Sequence, residues 1–574
     1  MNKNIFYLLI IFFVVMLFVY RFPLSSVNVV VNLRGACGDH FFYMFLFVAM
    51  LYLLCYGFLG RYDRFFILFF SSFFLMSSIP LFMYLLNLGI GYGFDDAIYT
   101  GLCRKYFMLG WPFKPVFLPY YHYNSVVKQV YYFMLGLPHY LLVYLLHFTG
   151  VEIQYINLLA PYLLFLFTAP YILYRMYGWK ACFFLLCVHG IFFEICRGKP
   201  YTLSLLFLIL TLYFLEKKKH ILMFIALFLS FISHYLVGLF LGIYVLGRLL
   251  RRKWQYILYL ETMVPLPFFI FLLRKLLFPE LAEIGEVSFT PNILEFIAEL
   301  FGLRIIYLNN INASHTFLIL GLWYILLFNR KRDWNILIPL FAIHLSQSLL
   351  GSIGWMIVQA FHRRIQTVLD ILLIPIGIRF MDMVGEQLGK GCILFTYVNH
   401  IKEINLKILW ILFLSSIPLL NYYYTYCYPY AYPMIPLPPY YKCDRDMVNR
   451  IEELISNNSV LIQSSPEFLC QGITKYGLGI PPYIYDPWLR GIRTSFIDML
   501  NCSSFNLIFS VYKYSYVVIV LEENRTRFYL QLFKINHSLN EIYENILSQY
   551  NVTYVNTYSY GYARYHLFVV KIDG

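Results

Sequence analysis

Two carboxylates stand side by side in Gly91-Tyr-Gly-Phe-Asp95-Asp96-Ala-Ile-Tyr99, just after an apolar run from Phe65 to Ile90. Hydrocarbon does not tolerate bare acids, so acids at a membrane edge are functional candidates by default. Adjacent acids repel, and one of them should hold its proton more tightly unless a cation or metal is near. That arrangement suits a general base beside a supporting or metal-binding acid. Simpler roles stay open: one carboxylate capping a helix over Ala97 to Met108, a pair with Arg104 or Lys105, or a solvated loop end.

A second set of residues could bind an anion. Arg197 and Lys199 stand in Phe193-Glu-Ile-Cys-Arg-Gly-Lys-Pro-Tyr201, His234 in Ser233-His-Tyr-Leu-Val-Gly238, and Arg363 with Arg364 in Phe361-His-Arg-Arg-Ile-Gln366. Arginine takes phosphate through its planar fork and lysine as a point charge. The plainer alternatives are cations reaching out to lipid headgroups and a histidine packed and hydrogen-bonded inside an apolar run. His122, His189, His315 and His344 make weaker cases. No HExxH, GxSxG, Walker A or GxGxxG motif stands in the right context, so metalloprotease, hydrolase and ATP-driven pump chemistry lack support.

The elements that must position these groups are membrane helices. Of 574 residues, 60% are hydrophobic and 13% charged, with a mean hydropathy of +0.66. A soluble protein carries about 25% charged residues, so a soluble enzyme is excluded. The net charge of +14 falls into short loops, as topology signals do; no basic aromatic module suggests nucleic acid. The 11 Cys form no CxxC pair, which removes zinc ribbons and thioredoxin motifs.

If the basic turns are cytoplasmic, consecutive clusters must enclose hairpins. Asn4 to Tyr20, Phe41 to Leu59 and Phe65 to Ile90 are three predicted spans, which place Asp95 and Asp96 outside. Leu137 to Phe148 is expected to lie on the outer leaflet, and Ile156 to Tyr174 to cross. The hairpins are Ala181–Cys196 with Tyr201–Leu215, Ile221–Ser233 with Tyr235–Leu246, Gln255–Leu273 with Thr316–Phe328, and Trp334–Leu350 with Gln366–Phe380. Ile408 to Tyr424 exits. The count is about 13 crossings, several of them short enough to require tilting or a broken helix. The N-terminus is then cytoplasmic, and Phe361 to Gln366 falls at the outer end of a hairpin. The basic residues of the anion set lie on the side where lysine and arginine are usually scarce.

Residues 427–574 differ in composition from the multi-spanning part, 1–426. After a Pro/Tyr-rich connector come a helical pattern at Asp444–Ile455, a strand at Tyr516–Leu521, an amphipathic helix at Leu539–Tyr550 and a strand at His566–Ile572. The pattern predicts a small α/β or α+β domain. Five of its 11 asparagines, Asn457, Asn501, Asn524, Asn536 and Asn551, open N-x-S/T triplets, an excess that favours an extracytoplasmic tail.

Together these features resemble the GT-C superfamily of integral-membrane glycosyltransferases, of the protein-mannosyltransferase-like, polyprenyl- or dolichyl-phosphate-sugar-dependent kind. The resemblance rests on five features: Phe94-Asp-Asp-Ala-Ile-Tyr99 after a span, a lateral helix around Gly136-Leu-Pro-His-Tyr140, Arg197-Gly-Lys-Pro-Tyr ahead of short paired spans, Ser233-His-Tyr-Leu-Val-Gly238, and a soluble outer C-terminal domain. It implies a polytopic α-helical membrane protein of the cell (plasma) membrane, with a catalytic outer loop at about 91–135. It also implies inverting transfer of a hexose from a polyprenyl-phosphate donor to a glycan, lipid or protein acceptor. Asp95 would be the base and Asp96 its assistant. Arg197, Lys199, His234, Arg363 and Arg364 would hold the donor phosphate, and Tyr99 and His122 would touch acceptor or donor. The first loop has no DxD, so a divalent metal is not implied, and the tail has no WWD, which favours a single-sugar transferase. The acidic pair follows the third span, whereas the family commonly places it after the first.

Two rivals remain. A polysaccharide polymerase of the EpsG or O-antigen type also has many spans and outer arginines, but the large soluble tail argues against it. A lipid-linked sugar transporter or flippase predicts a charged path through the bilayer and inverted repeats, and no internal repeat is evident.

Overall fold

The computed structural model describes residues 63–85, 99–100, 103, 136–151, 153–188, 190–195, 198–250, 252–270, 293–302, 313–328, 333–352, 356–390, 414, 417, 440–454, 460–465, 468, 499–501, 516–532, 534–561 and 563–571. The predicted spans Asn4–Tyr20, Phe41–Leu59 and Ile408–Tyr424 fall, apart from Leu414 and Ile417, outside them. Two compact units divide the chain. One comprises Met1–Ile79, Leu163–Ile195 and Tyr201–Pro429, and the other Pro80–Tyr162, Cys196–Pro200 and Tyr430–Gly574.

Among the described residues ahead of the tail, apolar runs become helices. They are α1 (Arg64–Leu85), α2 (Leu137–His147), α3 (Ile153–Tyr177), α4 (Trp179–Cys187), α5 (Ile191–Ile195), α6 (Pro200–Glu216), α7 (His220–Ser233), α8 (Tyr235–Leu249), α9 (Lys253–Met263), α10 (Ile293–Leu300), α11 (Ala313–Phe328), α12 (Trp334–Ser352) and α13 (Met356–Lys390). Among the described residues, two segments are long and apolar enough to cross a membrane, Tyr155–Tyr177 and Trp334–Ser352; five more apolar helices are shorter.

In the first unit α13 packs on α4, α11 and α12, while α8 packs on α7 and α12. Polar side chains lock these apolar contacts. Ser204 Oγ donates to the Ser230 carbonyl at 2.8 Å and Ser230 Oγ to the Ser204 carbonyl at 3.1 Å, which zips α6 to α7. Small hydroxyl residues let apolar helices approach this way. Lys180 Nζ meets Asp382 at 2.5 Å, tying α4 to α13.

Three predicted boundaries are corrected. The span expected over Ala181–Cys196 is two helices, α4 and α5, because the chain breaks at Val188 and Gly190 takes φ +67°. The helix from Gln255 stops at Met263, where a turn over Val264-Pro265 interrupts it. Proline lacks the N–H that would continue the helix. The segment Phe361 to Gln366 is no hairpin end: α13 runs for 35 residues from Met356 straight through it. Hydropathy changes at Arg363, but no glycine or proline stands there to end a helix.

The second unit carries the tail: α14 (Tyr440–Leu454), β1 (Val460–Ser464), β2 (Tyr516–Glu522), α15 (Glu523–Leu532), α16 (Leu539–Gln549), β3 (Val552–Tyr560) and β4 (Ala563–Lys571). The sheet order is β1-β2-β4-β3, with β1 and β2 parallel and the other pairs antiparallel. Val517 to Leu521 are buried in succession, as a strand covered on both faces requires. Met447, Val448 and Ile451 on α14 and Ile542 and Ile546 on α16 supply the apolar stripes, and Cys103, Tyr140, Val143 and Ile156 belong to the same apolar cluster.

One buried ion pair organises the tail. Arg525 donates to Asp444 Oδ2 at 2.7 Å with both side chains 3% exposed, and Tyr565 Oη donates to Asp444 Oδ1 at 2.6 Å. Asp444→Leu should cost about 3–5 kcal/mol by stranding the guanidinium. Asp444→Asn, which keeps an acceptor, should cost less. Urea unfolding monitored by proteolysis of the tail checks this; equal losses would refute it.

Helix α16 begins with a capping box. Ser538 Oγ accepts from the Glu541 N–H at 3.2 Å and Glu541 accepts from the Ser538 N–H at 3.0 Å. That N–H, with His537 second, holds the Glu541 carboxyl below its ordinary value of 4.5. A carboxyl depressed on folding contributes stability above its unfolded value and loses it as pH falls through the folded one. Amide protection of α16 is therefore expected to drop with acid below the ordinary carboxyl range. Glu541→Gln should remove that pH dependence, and Ser538→Ala should cost about 1 kcal/mol at neutral pH.

Candidate functional site

His234 is the whole joint between α7 and α8: it caps the end of one and the start of the next, with extended φ −157° and ψ 107°. Its N–H donates to the Ser230 carbonyl at 2.9 Å and its carbonyl accepts from Gly238 at 3.1 Å, so the turn loses little backbone bonding. Gly238 is required here. A Cβ at that position would lie 2.3 Å from Phe231 Cα on the preceding helix. The Ser-His-Tyr-Leu-Val-Gly pattern is therefore a one-residue reversal that leaves an imidazole at the tip.

Around this imidazole the first unit gathers two other segments. Arg364 on α13 places Nη1 3.5 Å from His234 Nε2, and its guanidinium lies 5.8 Å over the Tyr201 ring. Tyr201, one residue into α6 and buried, donates its hydroxyl to the Arg364 carbonyl at 2.7 Å. Its ring meets His234 edge-on at 4.9 Å, and Tyr235 stacks on His234 at 5.7 Å. The donor at Arg364 makes Nε2 of His234 the acceptor. A permanent cation is thus held beside an imidazole by an aromatic face, and this pairing has the chemistry to take phosphate oxygens.

The second unit has its own polar centre, Asn157 on α3. Its amide nitrogen reaches the Gly198 carbonyl at 3.0 Å and Thr100 Oγ1 at 3.1 Å; its oxygen meets His139 Nε2 at 2.6 Å and Cys103 Sγ at 3.6 Å. Lys199, next to Gly198, is only 1% exposed. Burial pushes the His139 imidazolium down from 6.5 to about 4, with the Asn157 contact opposing it, so the ring is neutral. Burial also pushes the Cys103 thiol well up, which keeps it a protonated donor.

Of the residues singled out by sequence, Asp95, Asp96, His122 and Arg197 lie outside the described residues, as does the side chain of Arg363 on α13. His234 and Arg364 are together in one unit, and Lys199 lies in the other. Tyr99 is half-buried, with its ring 6.3 Å from that of His139. Tyr201, Thr100, Cys103, His139 and Asn157 escaped the sequence reading. Asn157 carried one signal, a lone amide within an apolar stretch.

A buried dyad in the first unit also went unpaired in sequence. His315 Nδ1 lies 2.5 Å from Asp370 Oδ1 with neither side chain exposed, and Gln347 Nε2 lies 3.3 Å from His315 Nε2. His344 meets the Leu300 carbonyl at 3.0 Å and so satisfies the end of α10. Among the described residues no group of three or more His, Cys, Asp or Glu side chains is placed to hold a metal.

No protein-family model and no curated protein matches the chain. Among solved structures the chain is similar to ArnT from Cupriavidus metallidurans, in the apo state and bound to undecaprenyl phosphate. Each is 13% identical and covers 87% of this chain and 98% of that one, with TM-scores of 0.41 and 0.42.

Gly238→Ala should destabilise the protein by about 1–3 kcal/mol through overpacking at the α7–α8 joint, whereas Tyr201→Phe should cost about 1 kcal/mol for one hydrogen bond. Thermal unfolding in detergent checks both; a Gly238→Ala protein as stable as the parent would contradict the one-residue reversal.

Proposed function

We propose that this chain is a membrane glycosyltransferase that moves a sugar from a polyprenyl-phosphate donor to an acceptor hydroxyl at the extracytoplasmic face, with inversion. The supporting observation is the Arg364–His234 pair braced by Tyr201. A cation anchored to helix ends in an apolar bundle suits an anionic headgroup whose lipid chain stays in the membrane. The sequence supplies the complementary group, the acidic pair Asp95-Asp96.

In the proposed reaction Asp95 takes the proton of the acceptor hydroxyl, and Asp96 keeps that carboxylate poised through like-charge repulsion. The acceptor oxygen attacks the anomeric carbon from the face opposite the phosphate. The bond from that carbon to the phosphate oxygen breaks, and its electron pair leaves with the lipid phosphate. Arg364, with His234, Lys199, Arg197 and Arg363, stabilises the charge that develops there. Tyr99 and His122 are proposed contacts for acceptor or donor. The acceptor class is a glycan, lipid or protein.

A second reading retains one specific support. The buried His315–Asp370 pair is the kind of intramembrane ionisable group that transporters use, so a lipid-linked sugar transporter is the competing proposal.

Asp95→Asn should lower transfer from a labelled polyprenyl-phosphate sugar by about 10²–10⁴-fold, with donor binding retained. Arg364→Lys, which loses the planar fork, should instead weaken donor binding. Unchanged transfer in Asp95→Asn would sink the base assignment. Donor movement across vesicles without any glycosyl transfer would favour the transporter.

A further inference from the structure

Asn157 joins three stretches that are far apart in sequence. It reaches the residues just after the acidic pair, helix α2, and the loop that contains Lys199. The orientation of its amide follows from its partners. The Gly198 carbonyl can only accept, so the nitrogen must face it. The oxygen then faces His139, which must donate from Nε2, the tautomer that a neutral buried ring can supply. Cys103 adds a weak thiol donor to the same oxygen.

The loop is shaped for this contact. Gly198 has φ +56°, and a Cβ there would lie 2.8 Å from both Asn157 Nδ2 and the Asn157 carbonyl oxygen. Only glycine lets the loop come this close. Thr100 follows Asp96 by four positions, and Gly198 separates Arg197 from Lys199. One buried amide therefore holds both the segment leading away from the carboxylates and the segment bearing two of the cations.

We infer that Asn157 is a positioning residue: it sets the Gly198-Lys199 segment against Thr100 and Cys103, which follow Asp95-Asp96 in the chain, so that the proposed base and donor phosphate keep one spacing. The inference rests on the proposed function for its catalytic meaning, while the coupling of the two segments rests on geometry alone. Misplacing reacting groups by an ångström costs about 10²-fold in rate, and that is the loss expected when the amide is removed.

The test uses the full-length protein in lipid nanodiscs. Asn157→Leu removes all four contacts, Asn157→Asp keeps an acceptor but loses both donors, and Gly198→Ala pushes the loop away with every polar group intact. Ser204→Ala, in the α6–α7 zipper, controls for plain destabilisation. In Asn157→Leu, hydrogen–deuterium exchange at residues 99–103 and 198–200 should rise together, by about fivefold to tenfold. Transfer per folded molecule should fall about 10²-fold in kcat with little change in donor KM. The Gly198→Ala change should add little in the double variant. Asn157→Asp should be impaired as well, since a carboxylate cannot donate to the Gly198 carbonyl. Exchange that rises in only one segment, or a kcat loss no larger than that of Ser204→Ala, overturns the inference. A wild-type chain that transfers no polyprenyl-phosphate sugar overturns the functional proposal instead, and the exchange result then decides the coupling by itself.

Discussion

A polar side chain inside an apolar helix bundle must find a partner there, because no water is at hand to satisfy it. The polar pairs of this chain meet that constraint by joining segments remote in sequence. His234 meets Arg364 across 130 positions, His315 meets Asp370 across 55, and Asn157 meets Gly198 across 41. Hydrophobic burial brings helices together without direction. The polar pairs decide which helix face meets which, since a rotation or slip would leave a buried donor or acceptor unmatched.

The same constraint explains why the candidate site groups stand where they do. Arg364 keeps its charge beside an imidazole and over an aromatic face. His234 reaches that position because Gly238 lets two helices turn at one residue. The tail follows the same rule: Asp444 neutralises the buried Arg525, and Tyr565 donates to its second carboxylate oxygen.

Much of the element map was legible in sequence. The helix expected at Ile221–Ser233 is α7, that at Leu539–Tyr550 is α16, and the strand at Tyr516–Leu521 is β2. Long runs of one period carry a strong signal. Two strands escaped. β1 is five residues long and pairs in parallel with β2, 56 positions further on; β3 is an edge strand of mostly exposed, mixed residues. Strand formation there depends on the neighbour more than on intrinsic preference. The start of α13 was misplaced because a change in hydropathy is not a helix stop.

For the candidate site, sequence alone determined which charged residues lie against apolar surroundings, and so nominated Asp95, Asp96, Arg197, Lys199, His234, Arg363 and Arg364. A charge there is costly enough to stand out of the pattern by itself. Only the tertiary structure decided that His234 and Arg364 are neighbours, that Tyr201 braces them, and that Asn157 ties Thr100 to Gly198. Neutral polar residues such as Tyr201 and Asn157 do not declare their partners in sequence. Their importance comes from the partner, and in this bundle the partner is fixed by packing.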